Sequence, residues 1–230
     1  MEESFLAVDP KNKNPFIAEY DDLIRLHYLI QSRKVTTVLE FGVGKSTVVI
    51  ADALNKNKSK YSSHIKKTLR RSNPFQCHSI DNNHSWIDEC KKIIPKKFFD
   101  EGITTLHNAS LKMGTFADKM CTYYDPLPDL APDFIYLDGP HQFSPERNIR
   151  GMSTRSPDRM PMAADILSFE HFLTPGTLIV VDGRTANARF LKSNLQRKWD
   201  YLHAQDIDQH FFELLEEPLG TYNKRQINNI

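Results

Sequence analysis

Apolar positions along the chain fall into short continuous runs separated by longer segments with helical spacing. Val35–Leu39, Gln76–Ile80, Ile103–Leu106, Asp133–Asp138 and Thr177–Val181 have the length and residue types of buried strands. Helices are predicted between them. The first runs from Phe16 to Arg33, with Leu23, Ile24, Leu26 and Ile30 on one face, and a second carries Val48, Val49, Ala51 and Leu54 to about Asn55. Others are expected over Ser85–Ile94, Leu111–Met120, Met162–Leu173 and Thr185–Trp199, with two weaker strands near Tyr201–Ala204 and His210–Leu215. Strands alternating with helices predict an α/β protein: a Rossmann-like, doubly wound, mainly parallel seven-stranded sheet with helices on both faces. In such a sheet the ligand crevice lies beyond the C-terminal strand ends.

A polar residue closes each of the five main strands: Glu40, Asp81, Asn108, Asp138 and Asp182. Any one of them alone reads as a helix cap or a turn former. The fold brings all five to one edge. The first is followed by Phe41 and a tight Gly42-Val43-Gly44 turn, with Ser46 and Thr47 placed to start a helix. Glycine lets backbone approach a ligand closely, and the helix N-terminus offers unpaired N–H groups.

The segment Glu40-Phe41-Gly42-Val43-Gly44-Lys45-Ser46 resembles the first motif of the class I S-adenosylmethionine (SAM)-dependent methyltransferases, with Ser46 where many members carry a third glycine. DFIYLDGPHQF and FLTPGTLIVVDG are similar to the fourth- and fifth-strand segments of small-molecule O-methyltransferases. The resemblance covers roughly Val35 to Trp199. It implies SAM as cofactor, bound by Glu40, Phe41, Gly42, Gly44 and Ser46, by Asp81 and Asn82 at the ribose, by Asn108 and Ala109 near adenine, and by Asp138. It also implies methyl transfer to a small acceptor, on oxygen, with Asp138 and His141 as catalytic residues; His141 would be the general base or else a loop residue that fixes Asp138. Catechol-type members hold a divalent metal with acids matching Asp138 and Asp182, so Mg²⁺ is a candidate cofactor, although Gly183 replaces the Asn that usually assists. A competing reading takes GVGKST as the tail of an ATP-binding P-loop of a kinase or NTPase, but Leu39 stands where that loop needs its first glycine. A non-catalytic SAM- or RNA-binding module is the third reading.

Composition narrows the partners. The 230 residues suit one methyltransferase-like domain, with an N-terminal lead and helix over 1–34. With 30 Lys and Arg against 29 Asp and Glu, the net charge of +1 argues against a nucleic-acid partner. The stretch 56–75 is basic, with Tyr61 as the one aromatic of its Lys/Arg run, so it reads as a solvated insertion or helix extension. Cys77, Cys90 and Cys121 are far apart and form no CxxC pair, and no run is apolar enough for a membrane span. A cytoplasmic protein acting on a small molecule is expected; oligomeric state is not legible. The segment 139–161 is a long loop beside the ligand edge, a candidate lid whose Arg147, Arg150, Arg155 and Arg159 suggest an anionic acceptor.

Overall fold

The computed structural model describes residues 19–228; the predicted helix start and the polar lead before Glu19 lie outside them. The five main strands form as β1 (Thr37–Phe41), β2 (Gln76–Asp81), β3 (Thr104–Asn108), β6 (Phe134–Leu137) and β7 (Leu178–Asp182). With β8 (Trp199–Ala204) and β9 (Gln209–Leu214) they make one seven-stranded sheet in the order β3-β2-β1-β6-β7-β9-β8. The pairings among β3, β2, β1, β6 and β7 are parallel, and β9 runs antiparallel to both of its neighbours. The strand order reverses direction at β1, which puts the crevice outside the ends of β1 and β6.

Side chains alternate across the sheet, and each face is covered. On one face Val38, Cys77, Phe134, Tyr136 and Val180 pack with Leu26 and Ile30 of α1 (Tyr20–Ser32), with Ile50, Ala51 and Leu54 of α2 (Lys45–Thr68), and with Phe98 of α4 (Lys96–Asp100). Helix α3 (His84–Ile93) adds a smaller cluster of Ile87 and Cys90 with Val43. On the other face Leu39, Phe41, Ile80, Leu137 and Val181 meet Ile166 and Leu167 of α5 (Asp165–Phe169) and Ala188 and Leu191 of α6 (Thr185–Asn194). A last short helix, α7, spans Thr221–Ile227. Residues 56–68 of the basic stretch are the second half of α2, a helix extension well past Asn55, while 69–75 lie beyond the helix end.

Residues 111–120 do not form the expected helix. They belong to a hairpin of β4 (Ser110–Phe116) and β5 (Lys119–Asp125), which adds Leu111, Cys121 and Tyr124 to the second core face. Buried Leu111 and Met113 flank Lys112 at the period of two that marks a strand. Gly114 is needed because a Cβ there would lie 2.1 Å from the ring of Tyr123. The turn takes Ala117 and Asp118 to φ 45° and 62°, a primed two-residue turn made without the usual Asn-Gly.

The loop 139–161 is laid along this hairpin rather than hanging free. The backbone of Glu146 pairs with Leu111 and Met113 at 2.8 and 3.0 Å. Gln142 and Thr154 brace the loop internally, and Arg155 donates to Pro145 O, Arg147 O and the Asn148 side chain.

One buried carboxylate sets the register at the N-terminal edge of β1. Asp133 accepts from the backbone N–H groups of Thr36 and Thr37 and from the Thr36 hydroxyl, and Arg71 lies 3.4 Å away with its side chain 6% exposed. Replacing Asp133 by Ala leaves buried donors without their acceptor and Arg71 with only the Ala131 carbonyl, so unfolding free energy should fall by about 3–5 kcal/mol in chemical denaturation. A loss under about 1 kcal/mol would remove Asp133 from this role.

Candidate active site

The C-terminal edge is built around the glycine turn. Gly42 takes φ +102°, and a Cβ there would meet the backbone of Asp138 and Gly139 at 3.3 Å. A Cβ on Gly139 would in turn sit 3.0–3.1 Å from Phe41 and Gly42. Two glycines therefore let the ends of β1 and β6 interlock, with Asp138 N donating to Phe41 O and Gly42 N to Ile80 O. Gly44 differs. Its backbone is extended, and the nearest atom to an added Cβ is Ser46 Oγ at 3.7 Å. Nothing among the described residues requires glycine there, which leaves space beside the start of α2 for a ligand to approach.

Glu40 lies under this turn, fully buried, with its carboxylate taken up by three hydroxyls: Ser46 on Oε1, and Thr47 and Ser79 on Oε2. Thr47 Oγ1 also accepts from Gly44 N at 3.1 Å. Burial pushes the Glu40 carboxyl up to about 7, against the three hydrogen bonds. The Glu40 and Ser46 side chains thus hold the turn from below and bond to each other rather than presenting to the crevice. Phe41 also turns inward, stacked 6.0 Å from Tyr124, and leaves only its backbone at the edge. Ala109 is 3% exposed in the core, its N–H on Asp81 O. All three residues were expected at the cofactor; the side chains of Glu40, Phe41 and Ala109 pack inward, which leaves their backbone at the edge.

Asp81 stands open beside the turn. It accepts from Val43 N at 3.3 Å and Asn83 N at 2.8 Å, and burial raises its pKa. Asn82 follows it half-buried, and Asn108, exposed, is its register partner on β3. Trp86 of α3 donates its indole N–H to Val43 O, and Asn83 caps that helix through Trp86 N. Trp86, Thr47 and Ser79 escaped the motif reading. The strand register alone could have found Ser79, which sits directly opposite Glu40.

At the other side, Asp138 follows β6 and faces Arg184, whose Nε is 3.4 Å from Oδ1 and whose Nη groups donate to the backbone oxygens of Asp138 and Pro140. Burial among protein atoms pushes Asp138 up to about 6, with the charges of Asp182 and Asp22 adding to the shift and Arg184 opposing it. Asp182 accepts from Tyr136 OH and from Gln209 Nε2 at 3.0 Å. Gln209 also takes Arg25, which pairs with Asp22. His141 is exposed, its ring 5.6 Å from that of Phe143.

The sequence of residues 39–183 matches the family model described as a methyltransferase domain. The chain belongs to that family. The match takes in the glycine turn, Asp81, Asn108, Asp138 and Asp182. No curated protein matches it. Among solved structures, the SAH-bound methyltransferase PaMTH1 of Podospora anserina shares the fold at 12% identity, covering 86% of this chain and 80% of its own, with a TM-score of 0.54. The O-methyltransferase TomG of Streptomyces achromogenes, in complex with SAM, aligns over 87% and 82% at 14% identity and a TM-score of 0.45.

Within this methyltransferase the residues suit SAM better than Mg²⁺. The glycine turn, the open space at Gly44 and the accessible Asp81 fit a nucleoside bearing hydroxyls. The Asp138–Asp182 pair does not fit a hard cation. The Arg184 guanidinium stands on Asp138 and would repel a cation, Tyr136 and Gln209 hold Asp182 in place, and Gly183 adds no side-chain oxygen.

The buried Glu40 makes stability depend on pH. Its folded pKa of about 7 exceeds the ordinary glutamate value of 4.5, so the folded state keeps a proton that the unfolded chain has lost. Its contribution should decline as pH rises from about 4.5 to 7 and stay low above. Ser79→Ala removes one donor to the charged form and should cost about 1.5–3 kcal/mol at pH 8 and less at pH 5. Equal losses at both values in urea denaturation would refute the charged-clamp account.

Proposed function

This chain is a SAM-dependent methyltransferase, and we propose that it moves the methyl group onto an oxygen of a small acceptor. The observation that carries the cofactor side is the glycine turn, clamped from below by Glu40 and left open at Gly44, inside the segment that matches the family. Bound SAM supplies an electrophilic methyl carbon. What remains for the protein is to fix that carbon in line with the acceptor and to take the acceptor's proton.

Each residue then has a task. Asp81 keeps accepting capacity for ribose hydroxyls beyond its two backbone bonds, with Asn82 and Asn108 beside it. Asp138, held by Arg184, offers a carboxylate to the cofactor's ammonium end. His141, exposed at the start of the loop after β6, is the group proposed to receive the acceptor proton. An oxygen acceptor is what the resemblance of DFIYLDGPHQF and FLTPGTLIVVDG to small-molecule O-methyltransferases implies.

The acceptor's charge follows from what lines the edge. Among the described residues, a hollow of about 590 Å³ lies between the start of α1 and the turn 205–208. Glu19, Asp21, Asp22, Asp206 and Asp208 line it against Arg25 alone. Arg155 and Arg159 of the loop are meanwhile occupied by loop carbonyls. An acceptor seated in that hollow would be neutral or cationic, while Arg147 and Arg150, exposed on the loop, support the anionic alternative.

Calorimetry tests the cofactor. SAM or S-adenosylhomocysteine should bind and ATP should not, and Asp81→Ala should weaken binding by about 1–3 kcal/mol. Unchanged affinity in Asp81→Ala, or binding of ATP instead, would overturn the assignment. Turnover on an acceptor found by screening should drop in His141→Ala with SAM affinity intact, and added Mg²⁺ should leave it unchanged. Normal turnover in His141→Ala assigns the histidine to structure, and stimulation by Mg²⁺ would restore the two-aspartate metal site.

A further inference from the structure

We propose that His203, Asp208 and His210 form a binding site for a borderline transition-metal dication such as Zn²⁺ at the β8–β9 turn. It is distinct from the Asp138–Asp182 pair and independent of the cofactor reading.

Strand geometry brings the three together. His203 and His210 are direct register partners across the antiparallel β8–β9 pair, so their side chains leave the same face. Asp208 stands two residues before His210, in the left-handed conformation (φ 46°) that ends the 205–207 turn. One ligand atom from each residue lies within 4.8 Å of the others, and they are the one such group of three His, Cys, Asp or Glu side chains among the described residues. The two imidazoles stack with centroids 3.9 Å apart.

A second observation points to a missing partner. His203 Nε2 is buried, yet no hydrogen-bond partner reaches it among the described residues. A buried ring nitrogen without a partner is costly, and a metal ion would satisfy it. His210 is fully buried and held from both sides, with Tyr201 OH at 3.0 Å from Nδ1 and Thr185 Oγ1 at 3.1 Å from Nε2. One hydroxyl would turn away to free a lone pair, and the other would stay to orient the ring, the usual outer support of a metal-bound imidazole. Two imidazoles and one carboxylate suit Zn²⁺, Co²⁺ or Ni²⁺ rather than Mg²⁺ or Ca²⁺. Arg189 and Lys192 nearby oppose a cation, and the charge of Asp208 counters them.

The location gives the ion a consequence. Asp208 O accepts from Gly183 N at 2.9 Å, and Thr185 begins α6, so the turn is already tied to the end of β7 beside Asp182. A bound ion would staple the two strands of the hairpin at this rim and neutralise Asp208 where it lines the hollow.

The test uses full-length, tag-free protein freed of metal by chelation, titrated with Zn²⁺ by calorimetry and with Co²⁺ by visible absorption. One equivalent should bind, with d–d bands of an imidazole–carboxylate site, and Zn²⁺ should raise Tm. His203→Ala and Asp208→Asn avoid the fully buried ring, and each should weaken binding by at least about tenfold and remove the Tm rise. Absence of saturable binding below about 100 µM, or binding by both variants at wild-type strength, overturns the site. Neither readout needs methyl transfer, so failure here leaves the cofactor assignment standing, and failure of SAM binding leaves this one.

Discussion

The edge of this sheet depends on one buried carboxylate. The charge of Glu40 is spread over three hydroxyls, from the strand beside it and from the first turn of α2. That arrangement fixes where the helix starts relative to β1 and therefore the shape of the glycine turn. A fully buried acid with hydroxyl donors alone is close to the balance between ionised and neutral forms. The turn is held by polar contacts whose strength depends on that balance, while the strands beneath it are held by apolar packing.

Around that anchor the edge divides into two chemistries. On the β2–β3 side the groups are open and hydrogen-bonding, with Asp81 and Asn108 in register and Trp86 strapping the turn from α3. On the β6–β7 side carboxylates crowd together: beyond burial, Asp182 and Asp22 raise the pKa of Asp138, and Asp22 raises that of Asp182. Arg184 and Arg25 relieve part of that repulsion through contacts with Asp138 and Asp22. Fixed guanidinium groups do here what a bound cation would do, and they do it without needing open coordination positions.

The strand pattern and the polar strand ends were legible because they depend on local residue order. Each main strand appeared within a few residues of its predicted span, since a buried parallel strand needs a continuous apolar run. The hairpin at 110–125 was not legible, because Ala117-Asp118 lacks the Asn-Gly signal and the segment's spacing also fits a helix. The length of α2 past Asn55 was hidden for a related reason, a polar helix extension having no apolar stripe to mark it.

The site divides the same way. The sequence by itself determined the family, the order of strands and which residues reach the crevice edge, because these follow from chain order and from a motif carried within one short segment. Only the tertiary structure decided which way each side chain points there. Glu40, Phe41 and Ala109 sit at the expected positions, yet packing turns them inward. Arg184 and the stacked pair His203 and His210 matter only because residues far apart, or on opposite strands, are brought within a few ångströms. Those meetings depend on strand register and crossing, which no local pattern of residues encodes.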